Sequence, residues 1–271
     1  MPELPEVETI ARGLDHQARG QRIETARLLT PSIRRAGDVD TVPGRVITGV
    51  TRRAKLLLIG LDNGSVLAFH LKMTGRVWLA RTDEPLPLHA HAVFDLANSD
   101  RIIFEDPRRF GYLGLFSPRE LDGWSFYAAL GPEPLETTPH VLSQRLAGRQ
   151  ARIKSLLLNQ TVLAGIGNIY ADESLFAARV HPASRAARIP AARLDRLCAE
   201  LQRILRAAIA AGGSTISDYR DAYGKSGLFQ NHFQVYGKRG APCPGCGQPL
   251  VTARIAGRTS THCPLCQRLY V

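Results

Sequence analysis

The chain has little acid, little methionine or tryptophan, and no long apolar run. Asp and Glu number 24 against 35 Lys and Arg, so the net charge is +11. That deficit excludes a charge-balanced surface and points to a polyanionic partner. No stretch of about 20 apolar residues and no signal-peptide pattern occurs. A spanning helix and a membrane partner are therefore not expected, and the protein is expected to be soluble and cytoplasmic. Only five cysteines occur. In a reducing compartment they read as metal ligands rather than disulfides. Internal repeats and low-complexity segments are missing too. What is present is globular: 44% hydrophobic and 22% charged residues over 271 positions, a length that suits two domains with an appendage.

The chain changes character twice. Residues 2–20 read as a helix, because Leu4, Val7, Ile10, Ala11 and Leu14 recur at three- and four-residue spacing and Gly20 closes the segment. Residues 21–130 read as short strands: 45–52, 55–61, 65–71, 76–80, 90–96 and 101–104. Asp62-Asn63-Gly64 marks a hairpin. Many short strands imply a sandwich or barrel. Gly131-Pro132-Glu133-Pro134 breaks the pattern, and helices are expected at 141–158, 168–178 and 190–211. Gly212–Gly227 is Gly-rich and polar and reads as a loop. The fold class is α+β and multidomain, with domains at 1–130, 131–230 and 235–271.

Met1-Pro2-Glu3 offers a nucleophile. With Met1 removed, Pro2 becomes a terminal secondary amine with a reference pKa of about 7.7–8.0. Such an amine attacks an electrophilic carbon and gives an iminium. Glu3 and Glu6 lie within one helical turn of it. The same residues also serve ordinary helix capping, where Pro fits the first turn and Glu complements the dipole.

Cys243-Pro244-Gly245-Cys246 and Cys263-Pro264-Leu265-Cys266 form two C-x2-C knuckles 16 residues apart. This spacing predicts one tetrahedral structural zinc ion with no open coordination position. Between the knuckles, 250–262 reads as a hairpin that presents Arg258 to a phosphate. Cys198, inside the long helix, reads as a buried apolar residue.

Six motifs then stand in order: PELPEVET at the start, HLKMTG at 70–75, EDPRRFG at 105–111, LGPEPL at 130–135, GIGNIYADE at 165–173, and the cysteine array. Together they resemble the bacterial formamidopyrimidine-DNA glycosylases, repair enzymes for oxidised purines. Leu4 and Val7 resemble the purine branch rather than the endonuclease VIII type, which prefers oxidised pyrimidines. The resemblance implies an N-terminal helix and β-sandwich, then a helical domain with a helix–two-turn–helix motif and a four-cysteine zinc finger. It implies a monomer that binds double-stranded DNA containing an oxidised base and flips the damaged nucleotide from the stack.

It also implies roles. Pro2 attacks the sugar C1′, and Glu3 is the acid/base at the ring oxygen. Lys55 contacts phosphate and transfers protons, and Arg258 grips phosphate. Glu6 sits near the flipped base. His89, Arg108, Arg149 and Asn168 contact DNA; Asn168 reads equally as a helix N-cap. Met73, Arg108 and Phe110 fill the hole left by flipping, with Arg108 hydrogen-bonded to the orphaned cytosine. The implied activity is base excision followed by strand cleavage through β,δ-elimination. Ser217, Asp218 and Arg220 stand in the loop over the damaged base where some relatives carry a lysine, so base contacts there do not carry over. The rival from another class is a zinc-finger lesion sensor without covalent chemistry.

Overall fold

The computed structural model describes residues 1–216 and 219–271. It separates into two compact units, Met1–Ala128 with Ala211–Gln230, and Ala129–Ala210 with Asn231–Val271. Residues 211–230 thus belong with the N-terminal unit, not with the helices before them. No described helix is long and apolar enough to cross a membrane.

The first unit opens with α1 (Leu4–Ala18). Leu4, Val7 and Leu14 are fully buried along its stripe, each contributing roughly 1.5–3 kcal/mol by burial. Pro5 sits in the first turn, where its missing N–H leaves nothing unpaired. The strands that follow are β1 (Ile23–Leu28), β2 (Arg34–Ala36), β3 (Ile47–Arg53), β4 (Leu56–Leu61), β5 (Val66–His70), β6 (Arg76–Arg81), β7 (Ala90–Leu96), β8 (Asp100–Glu105) and β9 (Tyr112–Phe116). They form a four-stranded sheet, β1-β7-β8-β6, and a five-stranded sheet, β2-β9-β5-β4-β3.

Phe69 of β5 meets Phe94 of β7 and Phe104 of β8 edge-on, at 6.2 and 5.7 Å, and so ties the two sheets into one core. Strand β4 is buried on both faces. Leu57, Ile59 and Leu61 enter the main core, while Leu56 and Leu58 meet a second cluster with Phe116 and Leu121. Helices α2 (Pro118–Gly123) and α3 (Ser125–Ala128) follow β9, and Leu121 of α2 and Phe126 of α3 pack in that second cluster.

The second unit contains α4 (Pro139–Leu146), α5 (Ile153–Leu158), α6 (Asn168–Ala177), α7 (Ala191–Ala210) and the hairpin β10 (Val251–Ile255) with β11 (Arg258–His262). The single helix expected over 141–158 is two helices, because the chain turns at Gly148 with φ +72°. Helix α6 is buried from Ile169 to Leu175, including Asp172 and Glu173. A helix buried all round must find partners for its charges.

The finger segment supplies them. Glu173 accepts N–H groups from Gln234, Val235 and Tyr236 at 2.8–3.0 Å. Asp172 accepts Lys154 Nζ at 2.6 Å, Ser260 Oγ at 2.6 Å and the Thr261 N–H at 3.0 Å. Two adjacent carboxylates therefore hold the entry to the finger and its second strand. Cys198 is buried in α7, and that burial pushes its thiol up to about 12, leaving it inert.

Candidate active site and metal centre

In the first unit, Pro2, Glu3 and Glu6 are all buried at the N-terminus of α1. Glu6 closes the helix start by accepting the Glu3 N–H on Oε2 at 2.9 Å. Its Oε1 accepts the Ser214 N–H at 2.8 Å. The capping expectation for Glu6 thus holds, and the same carboxylate also accepts from the backbone of Ser214. Tyr219 donates its hydroxyl to the Gly212 carbonyl at 3.1 Å. Burial beside Glu6 raises that phenol well above its ordinary range. Arg220 donates to the Tyr219 carbonyl at 2.8 Å. Ser217 and Asp218 lie outside the described residues.

Lys55 is buried in the turn between β3 and β4. His70, which sequence reasoning did not single out, lies close by, because β5 pairs Leu56 with His70. The Lys72 N–H donates to His70 Nδ1 at 3.1 Å, so the ring carries its proton on Nε2. Burial, and then the charges of Lys72 and Lys55, lower His70 to about 3. The available signal was the histidine that opens HLKMTG at the end of a strand.

A consequence for stability follows. Between pH 6.5 and about 3 the unfolded chain binds a proton at His70 that the folded chain does not. Stability therefore falls as pH drops through that window, by at most about 1.4 kcal/mol per pH unit. Both tryptophans, Trp78 and Trp124, belong to the first unit, so their fluorescence follows its unfolding in urea. His70→Gln is expected to flatten the loss of midpoint between pH 7 and pH 5. An unchanged pH dependence would exclude a neutral buried His70.

Met73, Arg108 and Phe110 occupy two loops, after β5 and after β8. Met73 is 40% and Phe110 50% exposed, unusual for such side chains. The Arg108 guanidinium lies 4.6 Å from the Phe110 ring centroid. Buried Asp106 joins the loops. It accepts the Thr74 hydroxyl, the Arg108 N–H at 3.2 Å and the Gly111 N–H at 2.7 Å. His89 is exposed, and its carbonyl accepts the Asp106 N–H at 3.1 Å. Asp106, to which sequence reading gave no role, thus bonds two of the expected DNA-contact positions, His89 and Arg108, and the neighbours of Met73 and Phe110.

In the second unit, Asn168 starts α6 and donates through Nδ2 to the Thr259 carbonyl at 3.0 Å. Thr259 follows Arg258, which is exposed at the start of β11. Lys154 Nζ reaches the same carbonyl at 3.3 Å. Asn168 and Lys154 therefore share the carbonyl of the residue that follows Arg258. Arg149 is exposed in the turn after α4, where its Nε donates to the Arg145 carbonyl at 2.7 Å.

The four sulfurs of Cys243, Cys246, Cys263 and Cys266 all lie within 4.8 Å of one another. Cys243 and Cys266 are 3.8 Å apart and Cys246 and Cys263 3.5 Å. Four Zn–S bonds of about 2.3 Å in a tetrahedron require sulfur separations of about 3.8 Å. The Gly245 and Cys266 N–H groups point at Cys243 and Cys263 Sγ, at 3.4 and 3.3 Å, and would stabilise thiolates. The donor set fits a four-thiolate metal.

Residues 1–113 match the formamidopyrimidine-DNA glycosylase N-terminal domain, and residues 130–220 match the H2TH domain of the same enzymes. A formamidopyrimidine-DNA glycosylase of Syntrophomonas wolfei is 42% identical, over 99% of this chain and 100% of its own length. One from Nitratidesulfovibrio vulgaris is 49% identical over 84% of this chain, and the match spans 62% of that relative's length. A Lactococcus lactis FPG variant, solved in complex with a Fapy-dG containing DNA, superposes with a TM-score of 0.92 at 34% identity, covering 98% of this chain and 100% of that one.

Proposed function

Because the chain belongs to the formamidopyrimidine-DNA glycosylase family, we propose that it is a bifunctional glycosylase and AP lyase that removes oxidised purines from double-stranded DNA. It works as a cytoplasmic monomer on nucleoid DNA. The observation that carries the reading is the buried first turn of α1, where Pro2, Glu3 and Glu6 stand together. With Met1 removed, the Pro2 nitrogen attacks C1′ and the damaged base departs with the bonding electrons. Glu3 delivers a proton to the ring oxygen as the ring opens, leaving an iminium between Pro2 and C1′.

The iminium acidifies the C2′ proton. Loss of that proton expels the 3′ phosphate, and a second elimination expels the 5′ phosphate. The product is a one-nucleotide gap with a phosphate at each end. Lys55 grips phosphate and moves protons, and Arg258 and Asn168 hold the backbone; the bond from Asn168 to the Thr259 carbonyl, next in the chain to Arg258, supports placing them near one another. His89 and Arg149 add further DNA contacts. Met73, Arg108 and Phe110 fill the vacated stack, in keeping with the exposure of Met73 and Phe110. One zinc ion held by Cys243, Cys246, Cys263 and Cys266 keeps the finger folded.

Matched duplexes carrying 8-oxoguanine opposite cytosine or thymine glycol test the lesion class. Single-turnover release of 8-oxoguanine is expected to be the faster. Faster thymine glycol release would assign the chain to the pyrimidine branch instead. Borohydride reduction is expected to trap an enzyme–DNA adduct, and a processed protein that traps none would be a sensor.

A further inference from the structure

Arg52 precedes Lys55 by three residues, and the functional reading gives it no part. It lies on β3 opposite Leu57. Its side chain is only 4% exposed. Nε donates to Glu8 Oε2 on α1 at 3.0 Å, and Nη1 donates to the Ala54 carbonyl at 3.0 Å. The guanidinium is a rigid plane, so the two bonds fix that carbonyl relative to α1.

Ala54 is an unusual residue for its place. Arg53 pairs with Leu56, so Ala54 and Lys55 alone make the turn. Ala54 has φ +53° and is 1% exposed. Glycine suits a positive φ in a two-residue hairpin, whereas a β-carbon there costs about 1 kcal/mol or more. The conformation is held from outside, and the Arg52 bond supplies one hold. The carbonyl it grips belongs to the peptide plane whose nitrogen is that of Lys55. Rotating that plane would re-aim the Lys55 side chain.

We propose that Arg52, itself oriented by Glu8, is a positioning residue for Lys55: it clamps the Ala54 carbonyl and so ties the lysine turn to α1, the helix that follows Pro2 and Glu3. The inference rests on the reading of Lys55 given above. Arg52 acts through the peptide plane and not on substrate. It also explains how alanine is tolerated in this turn. Glu8 has a second partner, Arg12 at 2.8 Å, but Arg12 is exposed and shares Oε1, leaving Oε2 for the clamp.

The test is single-turnover strand cleavage at a lesion duplex by the full-length, methionine-processed protein. Arg52→Met is expected to slow cleavage roughly tenfold to a hundredfold, the scale of an ångström-sized misplacement. Ala54→Gly alone is expected to be near wild type. The double variant with Arg52→Met and Ala54→Gly is expected to recover most of the loss, since glycine adopts the turn without the clamp. In a Lys55→Met background, Arg52→Met is expected to cost nothing further. Glu8→Gln, which keeps the shape and removes the charge, is expected to give a smaller loss of the same kind. Tryptophan fluorescence melting identifies any variant that unfolds the first unit, and Glu8→Gln then carries the test.

Failure is separable. If Lys55→Met cleaves normally, the reading of Lys55 falls and the proposal with it. If Lys55→Met is inactive while Arg52→Met is normal, or its loss is not recovered by Ala54→Gly, the clamp is overturned and the Lys55 reading stands. A further loss from Arg52→Met on top of Lys55→Met would make Arg52 a contact in its own right.

Discussion

Pro2→Gln is expected to abolish borohydride trapping and to slow base release by at least roughly a thousandfold, since a positioned nucleophile supplies an effective molarity on the order of 10⁵ M or more. Two physical changes combine in this variant. Glutamine has no secondary amine to form the iminium. A large second residue also retains Met1, so the free amine moves one residue outward from α1. While Met1 is attached, the Pro2 nitrogen is an amide without nucleophilicity. Intact mass must therefore accompany every rate. Wild-type protein with Met1 removed is expected to trap, and the fraction retaining Met1 is expected not to.

The architecture around Pro2 would hold the proposed nucleophile rigidly. Leu4 and Val7 are fully buried just after it, and Glu6 fixes the first turn from inside through the Glu3 N–H. Only small errors of position are then open to the amine, which covalent catalysis requires. The positive end of the α1 dipole disfavours the protonated amine, and bound phosphate opposes that effect. Trapping that survives in Pro2→Gln and maps to a lysine would remove Pro2 from the mechanism and leave Lys55 as the first alternative.

What the sequence made legible was local. The α1 stripe and the two knuckles are short-range patterns, so periodicity and spacing sufficed for them. Strand β9 escaped notice because Gly114 interrupts its apolar run, and β1 because its exposed residues, Glu24 among them, mask the alternation. The helix expected over 141–158 ignored Gly148, whose positive φ divides it. The positioning contacts were out of reach for another reason. Asp172 meets Ser260 across 88 residues and Glu6 meets Ser214 across 208. No local rule links such pairs, and the resemblance named residues expected to touch DNA without naming those that hold them. Asp106, Asp172 and Glu173 all stand inside the quoted motifs, yet their work is visible only once the loops and the finger are in place.

Removing the metal is expected to abolish tight DNA binding while leaving the first unit folded. The finger has almost no apolar core of its own: Val235, Cys243, Leu250 and Cys263, with Phe176 and Cys266 against them. Metal binding, worth on the order of 10–16 kcal/mol in isolated fingers, must hold it. Once the knuckles open, β10 and β11 lose their anchor, and the bond from Asn168 to the Thr259 carbonyl beside Arg258 is lost. The damage extends inward. Asp172 loses Ser260 and Thr261, and Glu173 loses three N–H donors. These are buried carboxylates, and stripping a buried charge of its partners costs several kcal/mol. Chelation, or Cys266→Ser, is therefore expected to reduce helical circular dichroism as well as finger structure. Trp78 and Trp124 report the other unit, so their fluorescence should hold steady. Binding to a lesion duplex should weaken and its salt dependence flatten as phosphate contacts from the finger are lost. Unchanged affinity and salt slope in protein shown by atomic absorption to be metal-free would mean that the hairpin folds without the ion, and the structural role of the metal would be lost.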